Sequence, residues 1–182
     1  VTKKNGDLRP CVDYRALNQV TRNVDYPVPR LDDMINRING TVFSQLDIKD
    51  GFHHIPMHED SIHLTAVRTP FGTFEYTRMP FGLKTAPASF QRFMDFITNG
   101  LSNILVYVDD IVVFTNTQDE HVQALRALFQ RLHDWGVVIN AKKSTFFRPA
   151  ITFLGFDFNE MGRRPSQNAL PKLQSLKPPR TL

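Results

Sequence analysis

The chain is poor in cysteine, in long apolar runs and in charge imbalance, and each shortage removes a class of protein. Its one cysteine, Cys11, among 182 residues cannot close an internal disulfide or make half of a Cys-x-x-Cys zinc clamp. A disulfide scaffold and a zinc-finger module are therefore excluded. No apolar run approaches the ~20 residues of a membrane-spanning helix; the longest, 104–108 and 111–114, have the length of strands. Tyr (4) and Trp (1) are scarce beside 15 Phe. Lys and Arg (22) narrowly exceed Asp and Glu (18), for a net charge of +4, which leans toward polyanions without identifying nucleic acid. An initiator Met and a charged-then-apolar leader are also missing, so the chain reads as a piece of a longer protein from a reducing compartment. What is present suffices for a core: 41% hydrophobic and 22% charged residues separate it from disordered tails.

Asn5-Gly6-Asp7 marks the turn of a basic N-terminal hairpin running into the alternating stretch 8–14. Beyond Pro27 and Pro29, Leu31, Met34, Ile35 and Ile38 recur at helical spacing ahead of Gly40. Residues 41–48 read as a strand with Asp47 near its end, and 51–80 as short strands joined by turns, one at Pro70-Phe71-Gly72. Thr85 opens a helix that tolerates Pro87 in its first turn and presents Phe90, Phe93, Met94 and Ile97. Runs 103–108 and 111–114 are β-prone and separated by Asp109-Asp110, the pattern of a tight hairpin. Thr117 and Glu120 form a capping box for a helix whose face is Val122, Leu125, Leu128, Phe129 and Leu132, closed by Gly136. Strands are expected over 137–140 and 151–158, with Lys142-Lys143 between them. From Pro165 onward the chain is Pro-rich and basic. The mixed order favours an α+β layered domain over 1–164, followed by a linker over 165–182.

Two adjacent carboxylates at the tip of an apolar hairpin repel each other and are costly to desolvate unless a cation sits there. A solvated Asp-Asp turn would explain the pair alone. However, the segment 43–51 also ends an apolar strand in an acid, Asp47, followed by Asp50-Gly51. If the two strands are neighbours, three carboxylates meet. Carboxylates without His or Cys at ligand spacing make a hard-oxygen site suited to Mg²⁺. Two such ions about 3.5–4 Å apart serve phosphoryl transfer. Lys3, Lys4 and Arg9 could grip a triphosphate or form a solvated charged hairpin.

Six motifs then recur in order through nearly the whole chain: Lys3–Asn18, Leu46–Phe52, Met79–Gln91, Tyr107-Val-Asp109-Asp110, Ala141-Lys-Lys143 and Phe153-Leu154-Gly155. With them the sequence resembles the reverse transcriptases of gypsy-class LTR retrotransposons, relatives of the retroviral enzymes. The resemblance implies a polymerase palm, an antiparallel sheet with packed helices, and partial fingers, with residues after Arg164 entering a thumb. It implies that Asp47, Asp109 and Asp110 hold two Mg²⁺ ions (Mn²⁺ an accepted substitute), Asp110 the more peripheral, with the carbonyl of Ile48 completing one shell. Lys4 or Lys3, with Arg9, matches the triphosphate grip. Asp50, Gly51, Phe52, Phe81 and Gly82 match the nucleotide pocket. Tyr107, Pro87, Leu154 and Gly155 match primer and template contacts, and Lys143, or alternatively Lys142, a general acid near the pyrophosphate. Phe81 departs from the retroviral pattern, which has Gln there, and agrees with gypsy-class elements. The implied partners are an RNA or DNA template with its primer, deoxynucleoside triphosphates, and the thumb and RNase H domains of a Pol polyprotein. The implied location is the cytoplasm, in a virus-like particle.

Other residues have competing readings. His53, His54, His58 and His63 invite a zinc site but lack a second tight ligand pair. Asp13 and Arg15 read as a structural ion pair, and Trp135 as packing. Tyr107 reads equally as a primer contact or as buried packing, and Phe52 as a gate against ribonucleotides or as one more core aromatic. As function, a polymerase stands against a non-catalytic palm remnant that binds nucleic acid or a partner. Three intact, mutually repelling acids favour the polymerase.

Overall fold

A computed structural model describes residues 12–27 and 29–167. Two short helices, α1 (Arg15–Val20) and α2 (Leu31–Arg37), precede β1 (Val42–Asp47). A 3₁₀ turn (Gly51–His54), α3 (Glu59–Ile62) and a second 3₁₀ turn (His63–Thr65) lead to the hairpin β2 (Val67–Thr69) and β3 (Gly72–Phe74). Then come α4 (Ala86–Thr98), β4 (Ile104–Tyr107), β5 (Asp110–Thr115) and α5 (Gln118–Asp134). Last are β6 (Thr145–Arg148), β7 (Ala150–Phe153), β8 (Phe156–Asn159) and β9 (Gly162–Pro165).

The central sheet has the order β4-β5-β1-β6, with every pair antiparallel. Period-two alternation divides its residues between two cores. Leu46, Ile48, Val106, Ile111 and Val113 pack beneath Phe90, Met94 and Ile97 of α4 and Leu125, Leu128 and Leu132 of α5. Phe43, Leu105, Val112 and Phe114 face the other way, onto Met34, Ile35 and Ile38 and onto Ile151, Phe153 and Phe158 of the three-stranded sheet β7-β8-β9. The result is the expected α+β layered domain, with a mainly antiparallel framework.

Several local expectations are corrected. The stretch 51–80 is partly helical, because Asp50 turns left-handed (φ 50) to end the strand and the His58 imidazole caps α3, accepting from Asp60 N–H at 3.3 Å. Residues 137–140 are no strand; only Ile139 bridges to Ile48. The edge is instead β6, where the ladder with β1 shifts register and Phe147 sits at φ 51. The stretch 151–158 is two strands, since Leu154 and Gly155 both have positive φ (48 and 83) and form a tight hairpin turn.

On α5 the inner face is His121, Leu125, Leu128 and Leu132, while Val122 and Phe129 are each 37% exposed. His121 is buried because hydroxyls satisfy both ring nitrogens. Thr115 donates its proton to the Thr117 carbonyl, so it accepts from Nδ1–H (2.9 Å) and Ser44 donates to Nε2 (2.6 Å). Half of the capping box forms: the Thr117 side chain accepts from Glu120 N–H, while the Glu120 carboxylate accepts from Asn116 N–H, one residue earlier than the box requires. Pro165 pairs in β9, and Ser166 is buried, donating its N–H to the Gly155 carbonyl at 2.8 Å. No helix among the described residues is long and apolar enough to cross a membrane.

Candidate active site

β1 and β5 run antiparallel in a register that sets Asp47 directly opposite Asp110. Directly opposed residues share a face of the sheet, so these two carboxylates project together. Tyr107 also pairs with Asp110, which makes Val108-Asp109, one residue earlier than expected, the two-residue turn. Val108 takes φ 50 there, a left-handed conformation that a β-branched residue adopts only under constraint. Asp109 is thereby carried at the tip and its carbonyl accepts the Ile48 N–H at 2.9 Å, locking the turn to the end of β1.

Across from the turn stands Gly51. A Cβ there would collide with Asp109 Oδ1 and come within 3.0 Å of the Phe90 ring. The glycine is required by close approach, and it lets the Asp109 carboxylate reach the 3₁₀ turn that carries Phe52. Phe52 is half-buried, its ring centroid 5.2 Å from Phe81 and 5.7 Å from Phe90. Gly82 follows at φ 100 against the Tyr14 ring. Buried Gly51 thus meets Asp109, and Phe52 next to it meets Phe81, with Asp50 and Gly82 flanking the two contacts in the chain.

The loop after α5 is fastened to Asp47 by main-chain bonds. Asn140 N–H donates to the Asp47 carbonyl at 2.7 Å, Ser144 Oγ accepts from Asp47 N–H at 3.2 Å, and Ser144 donates to the Asn140 carbonyl at 2.8 Å. This brings Lys143 Nζ to 3.4 Å from Asp47 Oδ2. Burial first, and the neighbouring Asp47 charge second, hold the Asp110 carboxyl above its ordinary value, against the opposing pull of Lys143 and of a hydrogen bond from Gln45.

A reverse transcriptase (RNA-dependent DNA polymerase) family model matches residues 1–158. The chain belongs to the reverse transcriptase family. It is 39% identical over 179 residues to an uncharacterized protein of Caenorhabditis elegans, covering 97% of this chain and 14% of that one. It is 36% identical over 183 residues to the transposon Tf2-3 polyprotein of Schizosaccharomyces pombe, covering 99% and 14%. Among solved structures, the foamy viral protease-reverse transcriptase in complex with double-stranded DNA superposes with a TM-score of 0.89 at 32% identity, over 100% of this chain and 32% of that one. The foamy viral enzyme with an RNA/DNA hybrid gives 0.81 at 30% identity, over 93% and 23%. The chain therefore spans about a seventh of the curated relatives it matches.

For a reverse transcriptase, the fit to a hard divalent cation rests on donor chemistry. The acids and the main chain offer oxygen ligands, and Asp47 and Asp110 face each other with mutual repulsion to be neutralised. As they stand, no three His, Cys, Asp or Glu side chains among the described residues converge as a metal-holding group. Three of the four histidines are engaged singly: His53 donates to the Met79 carbonyl (3.1 Å), His54 to the Lys49 carbonyl (3.0 Å), and His58 caps α3.

Tyr107 and Leu154 both pack, half-buried, against the core cluster of Phe43, Leu105, Val112 and Phe153. Pro87 is exposed in the first turn of α4. Lys3, Lys4 and Arg9 lie outside the described residues. Asp13 and Arg15 form an exposed ion pair of 2.6 Å, and the Arg15 guanidinium brings the Asp13 carboxyl down to about 2. Trp135 is 48% exposed, edge-on to Phe93 and Phe96. Sequence reasoning missed Asn140 and Ser144, which hold Asp47 in place; Ser144, next to Lys143, carried no spacing signal.

Proposed function

We propose that the chain is the fingers-palm part of an RNA-directed DNA polymerase of a gypsy-class LTR retroelement, extending a primer along an RNA or DNA template with deoxynucleoside triphosphates. The observation that carries this reading is the Asp47–Asp110 register with Asp109 held in the intervening turn over Gly51. The Tyr107-Val-Asp109-Asp110 and Leu46–Phe52 motifs support the class.

In this reading Asp47 and Asp109, with the Ile48 carbonyl, would hold two Mg²⁺ ions and Asp110 stands at the periphery. When bound, the ions would activate the attacking 3′-hydroxyl and stabilise the departing pyrophosphate. Gly51, Phe52, Phe81 and Gly82 form the floor and wall on which the nucleotide lies, and Asp50 shapes the turn that leads into it. Phe52 excludes ribonucleotides, because a 2′-hydroxyl against its ring would be buried without a partner. Lys143, anchored beside Asp47, donates a proton to the pyrophosphate. Lys4 and Arg9 grip the triphosphate, while Tyr107, Pro87, Leu154 and Gly155 steady primer and template.

The test is primer extension by the full-length protein on poly(rA) with Mg²⁺. Extension is expected from the wild type, and Asp109→Asn is expected to lower it on the order of 10³-fold, as for loss of a preorganised charge-stabilising group. Circular dichroism should stay native. Appreciable extension by Asp109→Asn refutes the assignment.

A further inference from the structure

Gln91 lies on the inner face of α4, fully buried, and two of its three hydrogen bonds go to main-chain groups of β4 and of the Val108-Asp109 turn. Its Oε1 accepts the Val108 N–H at 2.7 Å. Its Nε2 donates to the Val106 carbonyl at 3.1 Å and to Asp95 Oδ1 at 2.9 Å. Asp95 Oδ2 in turn accepts the Tyr26 hydroxyl at 2.6 Å. The amide can point only one way, since a main-chain N–H only donates and a carboxylate only accepts.

β4 is the edge strand of the central sheet, so main-chain groups turned away from β5 have no neighbouring strand to meet. Gln91 supplies that neighbour for Val106 and Val108. No other side chain both donates twice and accepts once at this reach. Glu only accepts when ionised, Met does neither, and Asn is one methylene shorter.

We propose that Gln91 is a positioning residue for Asp109: by holding the Val106 carbonyl and the Val108 N–H, the main-chain groups that lead into the left-handed Val108, with Asp95 and Tyr26 orienting the amide, it aims the Asp109 carboxylate at Gly51 and the end of β1. The functional part rests on the polymerase reading, whereas the clamp itself does not. Val108, released from Gln91, relaxes toward negative φ and swings the adjacent Asp109 out of register. A misplacement of that kind costs on the order of a hundredfold in turnover. It appears in kcat, with the KM for deoxynucleotides little changed, because the nucleotide floor at Gly51 and Phe52 belongs to another segment.

Three variants of the full-length protein test this: Gln91→Glu, the pair Gln91→Glu with Asp95→Asn, and near-isosteric Gln91→Met. Two quantities are read: hydrogen exchange of the Val108 amide in metal-free protein, and kcat for primer extension. Gln91→Glu sets a buried carboxylate against that of half-buried Asp95 and should speed exchange and cut kcat. The pair reverses one hydrogen bond: the amide introduced at position 95 donates to the carboxylate introduced at position 91, which still accepts from the Val108 N–H. It should recover part of the lost kcat together with slower exchange, the Val106 carbonyl being left without its donor in both Glu variants. Gln91→Met should lose both. Should the Glu variants fail to fold, Gln91→Met decides alone. Slow Val108 exchange in Gln91→Met, a kcat within threefold of wild type, or a folded pair no better than the single Glu variant overturns the proposal. If the wild type extends no primer, the polymerase reading fails, and the exchange measurement still decides the clamp.

Discussion

Single residues at the acid cluster are constrained by charge and by space, and both can be probed. Asp110 is held above the ordinary carboxylate value by burial and by Asp47, so folding favours its protonated form. The sign follows. Its ionisation costs stability at neutral pH, and that cost fades as pH falls through the raised value toward 3.8. In metal-free protein, Asp110→Asn should raise the denaturation midpoint at pH 8 and leave it unchanged near pH 4, as followed by thermal melts across that range. Gly51→Ala should instead strike function, because the added methyl meets Asp109 Oδ1 and Phe90. A loss of extension on the order of a hundredfold is expected, with a lower melting temperature as well, since overpacking against the buried Phe90 ring costs about 1–3 kcal/mol. Phe52→Val should raise ribonucleotide relative to deoxynucleotide incorporation. An unchanged ratio, with both substrates depressed, would make Phe52 a core aromatic only.

At the scale of elements, α5 is tied to the central sheet by a buried imidazole as well as by leucines. Burial lowers the His121 value, so the neutral ring is the folded form. Stability from this site is complete above the ordinary 6.5 and declines as pH falls through it. Ser44→Ala removes the donor to Nε2 and the acceptor of Phe147 N–H. It should cost about 1–3 kcal/mol by urea denaturation at pH 7.5, the penalty for orphaning buried polar groups. α4 and the edge strand β4 depend on each other differently, through Gln91 and main-chain groups. The Thr117 cap of α5 and the first-turn Pro87 of α4 were legible in the sequence because they are set by neighbours within one turn. The four-residue α3 was not, since it is shorter than any hydrophobic period that would announce it.

For the whole molecule, the charge of +4 is modest, and the chain spans 14% of its transposon relative's length. A template-directed enzyme accepts any sequence, so its nucleic-acid contacts fall on phosphates and sugars. Affinity for a template-primer, measured by fluorescence anisotropy on the full-length protein, should fall linearly in log–log terms with salt and vary little between sequences. A flat salt titration or sharp sequence preference would speak against a polymerase.

The sequence by itself determined the fold class, the strand ending in Asp47, the two long helices and the hairpin bearing Asp109 and Asp110, because alternation, helical spacing and capping are local properties. Tertiary structure decided what those signals leave open. The turn falls at Val108-Asp109 because the β4–β5 ladder, which pairs Tyr107 with Asp110, and the Gln91 side chain, 17 residues away, outweigh the turn preference of an Asp-Asp pair. His121 is inside because hydroxyls from β1 and β5 satisfy it, and Lys143 faces Asp47 because Asn140 and Ser144 bind the Asp47 main chain. Ser44–His121 and Asp47–Ser144 are hydrogen bonds between residues distant in the chain, and no local pattern encodes a partner that only packing supplies.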